Sequence, residues 1–351
     1  MSTVFLRSGW TAWAAAGVLS LALASCGTSG QAPASAPKPS SAPAGSSSST
    51  ATIRVGLPVL DANWAPLYAA QDQGFFKKQG IDVKLYTFNG DAAVDQALAG
   101  NSVDVDVASL VGLIHLINAH QPVRAFWGGF NQAVFEWVSP TLTSMSQAKG
   151  ATVGITTYGS LTDQLTRYAL QQEGVDPSSV HFLQTGGSPS TISALKSHQI
   201  TLGILSPPFS FMAANEGMHV VLKESQIIPA WPEQVLFAHQ SYIQQNQDTL
   251  KKFLIGLAQG MEWVKAHPQG AAQVIEKHLK FSPEYALPTI QAITPGYSPQ
   301  GEISQAGLTQ FWNVMKASGV VKQPMPTQDW LDSSLLNTES TWLAPHLQGG
   351  S

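Results

Sequence analysis

The chain has 351 residues, of which 18 are Lys or Arg and 22 are Asp or Glu, so its formal net charge is −4 at pH 7. Hydrophobic residues make up 44% of the chain, which excludes a wholly disordered protein, and the mildly acidic balance argues against a nucleic-acid partner. The single Cys excludes an internal disulfide and a zinc site with several Cys ligands.

The first 25 residues have the pattern of a secretory signal peptide. Arg7 precedes an apolar run over 10–24, which is shorter than the roughly 20 residues that a membrane-spanning helix needs. The run ends in Leu-Ala-Ser before Cys26, and this resembles the lipobox of bacterial lipoproteins, in which the Cys carries a lipid. The alternative is an ordinary secretory signal in which Cys26 has no role.

The segment after the signal is rich in Ser, Ala, Pro and Gly, and its one charged residue is Lys38. Such a composition cannot bury a core and predicts a flexible tether. We therefore expect 1–25 to be a signal peptide, 26–50 a lipidated Cys with its linker, and the folded protein to lie outside the cytoplasm, anchored to a membrane.

The body alternates strand and helix patterns in chain order. Strands are predicted at 53–57, 81–85, 103–107 and 123–127, with helices at 66–76, 91–98 and 109–119 between them. The rhythm restarts with strands at 151–156, 180–183, 202–205 and 220–222 and with helices at 161–172, from 188 onward and at 209–216; after 241 the chain is helix-rich. Strands that alternate with helices predict mainly parallel sheets flanked by helices.

Two segments, 134–138 and 235–238, flank the second half and are predicted to be two crossing strands that form a hinge. The expected fold is therefore α/β and two-lobed, with lobe one at 51–138 plus 239–351 and lobe two at 139–238. A ligand would bind in the cleft beyond the carboxyl ends of the strands.

Several motifs in the body resemble one known family. They read PLYAA at 66–70, GFFKKQGIDV at 74–83 and ALAGNSVDV at 97–105. These stretches are similar to solute-binding proteins of ABC importers for sulfonates, nitrate and thiamine-precursor pyrimidines. The resemblance implies a type II periplasmic-binding-protein-like fold, a small solute as ligand, an ABC permease as partner, and no cofactor. TLGI at 201–204 departs from the family, which usually has an Asp-Ala pair there.

Candidate ligand contacts lie in the loops that follow the predicted strands. Trp64 offers a flat apolar face, and ligand contact is favoured there over simple packing against the following helix. Ser109 offers a hydrogen-bonding hydroxyl, which helix capping would explain equally well. Ser160 with Asp163 forms a capping pattern that could also present backbone N–H groups to an acidic ligand group. The full set of candidates is Asn63, Trp64, Asn89, Ser109, Trp127, Thr157, Tyr158, Ser160 and Pro208.

The charges of the body bear on the ligand class. Its Arg residues, Arg54, Arg124 and Arg167, lie outside the candidate loops, whereas Asp61 and Asp91 flank the cleft and would repel an anion. We therefore expect a neutral or cationic heteroaromatic, such as a pyrimidine, rather than a sulfonate or nitrate.

Three function classes remain from the sequence alone. An importer's receptor is favoured, a lipoprotein that senses ligand without transport is the alternative, and an enzyme related to the fungal pyrimidine synthase is disfavoured. The body lacks the Cys-rich motif of that synthase, the common hydrolase and phosphate-binding motifs, and His residues at metal-ligand spacing.

Overall fold

The structure, a computed structural model, describes residues 50–280 and 282–347. The predicted signal peptide, Cys26 and nearly all of the linker lie outside the described residues. Within the described part, no helix combines the length and apolar character that crossing a membrane requires.

Ten strands form two five-stranded sheets. The first sheet has the order β2-β1-β3-β10-β4 and the second has the order β7-β6-β8-β5-β9. The strands are β1 Ala51–Leu57, β2 Ile81–Thr87, β3 Val105–Ala108, β4 Val123–Phe130, β5 Glu136–Ser139, β6 Thr152–Ile155, β7 His181–Gln184, β8 Leu202–Leu205, β9 His219–Lys223 and β10 Gln234–His239.

Sixteen helices connect and cover these sheets in the described part of the chain. They are α1 Ala65–Asp72, α2 Phe75–Lys78, α3 Asp91–Ala99, α4 Leu110–Asn118, α5 Leu161–Gln172, α6 Ser188–Lys196, α7 Phe209–Asn215, α8 Glu224–Ile227, α9 Gln240–Gln245, α10 Gln247–Ala266, α11 Pro268–Leu279, α12 Pro283–Ile293, α13 Gln305–Ala317, α14 Thr327–Trp330, α15 Glu339–Trp342 and α16 Ala344–Leu347. The order of the strands agrees with the sequence prediction. The predicted helix at 66–76 is two helices, α1 and α2, with Gly74 at a φ of 71° between them, and α8 was not predicted. The boundaries of the other elements in the α/β halves differ from the prediction by a few residues at most.

The two sheets have the same topology. In each, the strands pair in parallel except for one reversed strand, β10 in the first sheet and β5 in the second. Each reversed strand occupies the fourth position and comes from the chain that has just crossed from the other half. The predicted two-lobed α/β fold with mainly parallel sheets is confirmed.

The lobe boundaries differ from those predicted. β5 was assigned largely to lobe one, but it pairs with β8 and β9 of the second sheet. β10 was assigned to lobe two, but it pairs with β3 and β4 of the first sheet. The chain therefore crosses between the sheets at 131–135 and 224–233. In each sheet the reversed strand lies between two strands that run parallel to each other.

The crossing segments also contact each other. The Glu224 N–H donates to the Phe135 carbonyl oxygen at 2.9 Å, and the Phe135 N–H donates to Glu224 Oε2 at 3.0 Å. The Glu233 N–H donates to the Phe130 carbonyl oxygen at 2.8 Å. We call the first sheet with its helices the first lobe, and the second sheet with its helices the second lobe.

The C-terminal helices pack mainly on the first lobe. Helices α10 and α11 contact α1 and share one core with β1 and β2. Helix α13 also contacts α5 of the second lobe. The C-terminal segment was predicted to belong to lobe one alone, but it contacts both lobes. One large hydrophobic cluster, with Val94, Leu165 and Phe311 among its members, consequently spans both lobes.

Close packing of α10 on α1 predicts an intolerant glycine. A Cβ added at Gly260 would lie 2.2 Å from the Pro66 carbonyl oxygen, which is fixed in the backbone of α1. We expect Gly260→Ala to lower the free energy of unfolding by about 1–3 kcal/mol, despite the better helix propensity of Ala. Urea denaturation would measure this. Glu262→Ala, on the exposed side of the same helix, should change stability by less than about 0.5 kcal/mol, and equal effects of the two variants would contradict the packing argument.

Candidate functional site

A cavity lies between the two lobes at the carboxyl ends of the parallel strands. Its enclosed volume is about 50 Å³, which is room for a few water molecules or a very small solute. Its lining comes from both lobes and from both crossing segments: Pro58, Val59, Asp61, Asn63, Trp64, Gly90, Asp91, Ser109, Phe135, Thr156, Leu161, Thr162, Ser188, Ile204, Glu233 and Gln234.

Asp61 connects the lobes at one side of the cavity. It follows β1, and its Oδ1 accepts a hydrogen bond from the Asn63 N–H at 2.8 Å. Its Oδ2 accepts a hydrogen bond from the Ser206 hydroxyl, which follows β8 in the second lobe. Burial raises the pKa of Asp61 to about 6, although the hydrogen bonds from Asn63 and Ser206 act in the opposite direction.

Asp91 connects the lobes at the other side. It is the first residue of α3, and its Oδ2 accepts hydrogen bonds from the Ser109 hydroxyl and from the Leu161 N–H, each at 2.9 Å. Leu161 begins α5, so an acidic side chain of the first lobe binds the positive end of a helix in the second. Burial raises the pKa of Asp91, while the hydrogen bonds from Leu161 and Ser109 lower it.

A third buried acid, Glu233, comes from the crossing segment that precedes β10. Burial is the largest cause that raises its pKa well above the usual value, and the negative charges of Glu224, Asp61 and Asp91 add to the effect. The cavity therefore combines three buried carboxyl groups, and its lining contains no Lys, Arg or His.

The nearby cations are committed to other partners. Arg54 forms an ion pair with Asp104 at 2.6 Å, and Arg167 forms one with Asp163 at 2.7 Å while it lies over the Phe182 ring. Neither Arg lines the cavity. Within the described residues, no group of three or more His, Cys, Asp and Glu side chains is arranged to hold a metal ion.

Three of the predicted contact residues line the cavity. Trp64 is buried, its indole N–H donates to the Val59 carbonyl oxygen at 2.8 Å, and its ring meets Phe130 edge-on. Asn63 is buried and its carbonyl oxygen accepts from the Tyr297 hydroxyl at 3.2 Å. Ser109 lines the cavity, and its hydroxyl donates to Asp91. The same hydroxyl accepts from the Gly112 N–H and so caps α4, which means that Ser109 is both a helix cap and a residue of the cavity lining.

The other six predicted residues lie away from the cavity lining. Trp127 is fully buried in the first-lobe core, because β4 continues to Phe130 and does not end at 127. Asn89 is exposed, and Tyr158 is 54% exposed with its hydroxyl donating to the Phe182 carbonyl oxygen. The remaining three, Thr157, Ser160 and Pro208, are outside the lining as well.

The structure also corrects the capping pattern at α5. Ser160 is the N-cap residue, but its hydroxyl donates to the Thr157 carbonyl oxygen and accepts no hydrogen bond from a backbone N–H of the helix. Asp163 accepts from the Gly159 N–H at 2.8 Å and pairs with Arg167. The acidic group at the helix N-terminus is the protein's own Asp91, where the sequence prediction had placed a ligand.

The sequence prediction considered loops that follow parallel strands and therefore did not include Glu233 and Gln234. Glu233 is the last residue of the crossing segment 224–233 and Gln234 is the first residue of the reversed strand β10, and both line the cavity. An acidic residue and an amide at the start of an apolar strand were the available signal, yet nothing local to them indicates a cleft.

The raised pKa of Asp61 predicts how stability changes with pH. A carboxyl group with a folded-state pKa of about 6 and an ordinary value of 3.8 favours folding when protonated, and this contribution is lost as pH rises through 6. We expect Asp61→Asn to remove up to roughly 3 kcal/mol of pH dependence between pH 4 and 7, so the variant gains stability over the parent as pH rises.

Urea denaturation at several pH values would check this in solute-free protein. Asp248→Asn is the matched control, because this carboxylate is 95% exposed and makes only a 3.9 Å ion pair. The expected sign would be contradicted if the parent protein became more stable from pH 4 to 7 and Asp61→Asn abolished that increase.

Comparison with known proteins identifies a family and several relatives of this chain. The family model described as NMT1/THI5 like matches residues 61–271. The putative binding protein YtlA of Bacillus subtilis (strain 168) is 26% identical over 220 residues, which cover 58% of this chain and 63% of that protein. The nitrate/nitrite binding protein NrtA of Nostoc sp. strain PCC 7120 is 23% identical over 265 residues, which cover 68% of this chain and 60% of that protein.

The chain thus spans about three fifths of the length of these curated relatives. A solved structure of a protein from Bordetella bronchiseptica RB50 has a TM-score of 0.72 at 23% identity, covering 83% of this chain and 97% of that one, and therefore shares the fold. The family match and the two exchanged-strand sheets agree: the chain belongs to the NMT1/THI5-like family and has a two-lobed, type II periplasmic-binding-protein-like fold.

Proposed function

We propose that this protein is an extracytoplasmic receptor that binds a small solute between its lobes and delivers it to an ABC permease. The observation that carries the proposal is the cavity at the carboxyl ends of both sheets, lined by residues of both lobes and of both crossing segments. Two chain crossings, at 131–135 and 224–233, are suited to act as a hinge. Both curated relatives are named as binding proteins, which supports binding without bond making.

The cross-cleft hydrogen bonds support closure as the binding step. Asp61 bonds to Ser206, and Asp91 bonds to the Leu161 N–H, so each lobe contributes partners to the other around the cavity. A solute that fills the space between them adds contacts to both lobes only when the lobes are together. Binding therefore shifts the population toward the closed arrangement.

The location outside the cytoplasm and the lipid anchor at Cys26 are part of this proposal and derive from the sequence. A lipid on Cys26 followed by a tether would hold the folded body near the permease. The cavity lining contains no Lys, Arg or His, which argues against an anionic ligand.

Closure predicts a smaller particle when solute is present. With a panel of pyrimidines, sulfonates, nitrate, amines and amino acids, we expect at least one solute to reduce the radius of gyration in small-angle scattering. The same solute at 100 times its Kd should add about 2.7 kcal/mol to stability, a rise in Tm of a few degrees. If no solute in the panel gives compaction or a thermal shift, the receptor proposal fails.

Trp64 supplies a residue-level check of the same proposal. Trp64→Phe retains an aromatic face but removes the indole N–H that bonds to Val59, and we expect it to weaken solute binding about tenfold. Trp263→Phe is the control, because Trp263 stacks on His267 outside the cavity lining. Equal solute affinities of the two variants would exclude Trp64 from the site.

The anchor is tested separately in the expressing bacterium. Cys26→Ser should abolish incorporation of radiolabelled palmitate and move the processed protein from the membrane fraction to the fluid outside the cytoplasm. Ser25→Ala serves as the control and should keep the label. Unchanged labelling of Cys26→Ser would contradict lipidation at this residue.

A further inference from the structure

Two hydrogen-bond acceptors at the cavity have no partner. Glu233 is 2% exposed and Gln234 is 7% exposed, and both residues line the cavity between the lobes. Glu233 Oε2 and Gln234 Oε1 are buried without a hydrogen-bond partner. A buried acceptor left unpaired destabilises the folded protein, so these two atoms are available to a hydrogen-bond donor that enters the cavity.

The orientation of the Gln234 amide follows from its neighbour. Its Nε2 donates to Glu233 Oε1 at 3.0 Å. This contact leaves Gln234 Oε1 as the free atom of the amide. The same orientation suits an ionised Glu233 in the presence of a cation, because a carboxylate only accepts. Side by side, the two residues present two acceptors of which one belongs to an acid.

The other acids of the lining are better compensated. Asp91 accepts from the N-terminus of α5 and from Ser109, and Asp61 accepts from the Asn63 N–H and from Ser206. Glu233 receives only the neutral Gln234 amide. Burial raises the pKa of Glu233 and so favours its neutral form in the solute-free protein. Since the lining includes no basic side chain, a bound cation would supply the positive charge that stabilises the ionised form of Glu233.

We propose that Glu233 and Gln234, with Asp61 nearby in the same lining, form a subsite for the protonated amine of a small organic solute. This inference rests on the proposed function and names the chemistry of its ligand. A primary ammonium group offers three N–H donors and a positive charge, which match a carboxylate oxygen and an amide oxygen left unpaired. Trp64 in the same lining offers an apolar and π-rich surface to the rest of such a solute.

One helix end that would attract an anion is already filled. The N-terminus of α5 faces the cavity from the second lobe, and the Asp91 carboxylate accepts its Leu161 N–H, while Ser188 at the start of α6 also lines the cavity. An anionic solute at the α5 end would have to displace Asp91, and elsewhere in the cavity it would lie near three carboxyl groups. The same site therefore selects against carboxylates and sulfonates.

A matched set of probes separates charge from shape. We would measure the affinities of benzylammonium, benzyl alcohol and benzoate, and of the corresponding propyl compounds, by calorimetry with the full protein. The ammonium member of at least one series should bind at least tenfold more tightly than its alcohol and carboxylate counterparts. Tighter binding of a carboxylate or alcohol, or no binding of either ammonium compound, overturns the proposal.

Variants assign the effect to these residues. Glu233→Gln should weaken the binding of ammonium at least tenfold, and Gln234→Met, which removes the free acceptor at similar volume, should weaken it about fivefold. Glu262→Gln, an exposed acid on α10, is the control and should leave affinity unchanged. In solute-free protein Glu233→Gln should raise Tm or leave it unchanged, because a neutral amide of similar shape replaces a buried acid that has no counter-charge. A purely structural acid would instead give a lower Tm and unaltered ammonium affinity.

The two proposals fail in different ways. Compaction by a neutral or anionic solute, without ammonium binding, would leave the receptor function standing and overturn the amine subsite. If neither the broad panel nor the ammonium series binds, both proposals are wrong.

Discussion

The Asp91 carboxylate at the N-terminus of α5 is the contact on which both the shape and the chemistry of the cleft depend. It comes from the first lobe, bonds to Ser109 within that lobe, and accepts the Leu161 N–H of the second lobe. The partial positive charge of a helix end stabilises a buried carboxylate, so the contact links the lobes and occupies the place where an anionic solute would otherwise bind. Asp61 and Ser206 repeat this arrangement on the other side of the cavity with a hydroxyl as donor.

Buried acids give the site a consistent character. Burial raises the pKa of Asp61, Asp91 and Glu233. The negative charges of Glu224, Asp61 and Asp91 raise the pKa of Glu233 further. Such an arrangement lowers the stability of the solute-free protein near neutral pH, a cost that proteins commonly bear at functional sites. The three buried acids favour a cationic solute, although the relatives of this chain include a nitrate/nitrite binding protein.

Much of the fold could be predicted from sequence because its elements have strong periodicity. The alternation of short strands and helices from β1 to β9 gave the architecture, and the restart near 151 indicated two similar halves. The exchange of β5 and β10 could not be seen, because a strand's own residues do not reveal which sheet it pairs with.

The site was accessible only in part for the same reason. Asn63, Trp64 and Ser109 follow parallel strands at their carboxyl ends, a position that the topology brings to the cleft. Glu233 and Gln234 lie where a chain crossing meets the reversed strand β10, and only the long-range topology brings this junction to the cavity. Trp127 was misplaced because β4 runs three residues further than its apolar pattern suggested, which leaves the indole in the core.

The most direct test of the account is to identify what the protein carries from its own environment. Native mass spectrometry of protein isolated without denaturation from the bacterium that produces it would show a bound solute as a mass increment, and fragmentation would identify it. The account predicts one small solute per chain with a nitrogen that is protonated at neutral pH. A co-purified nitrate, sulfonate or carboxylate without such a nitrogen would contradict it.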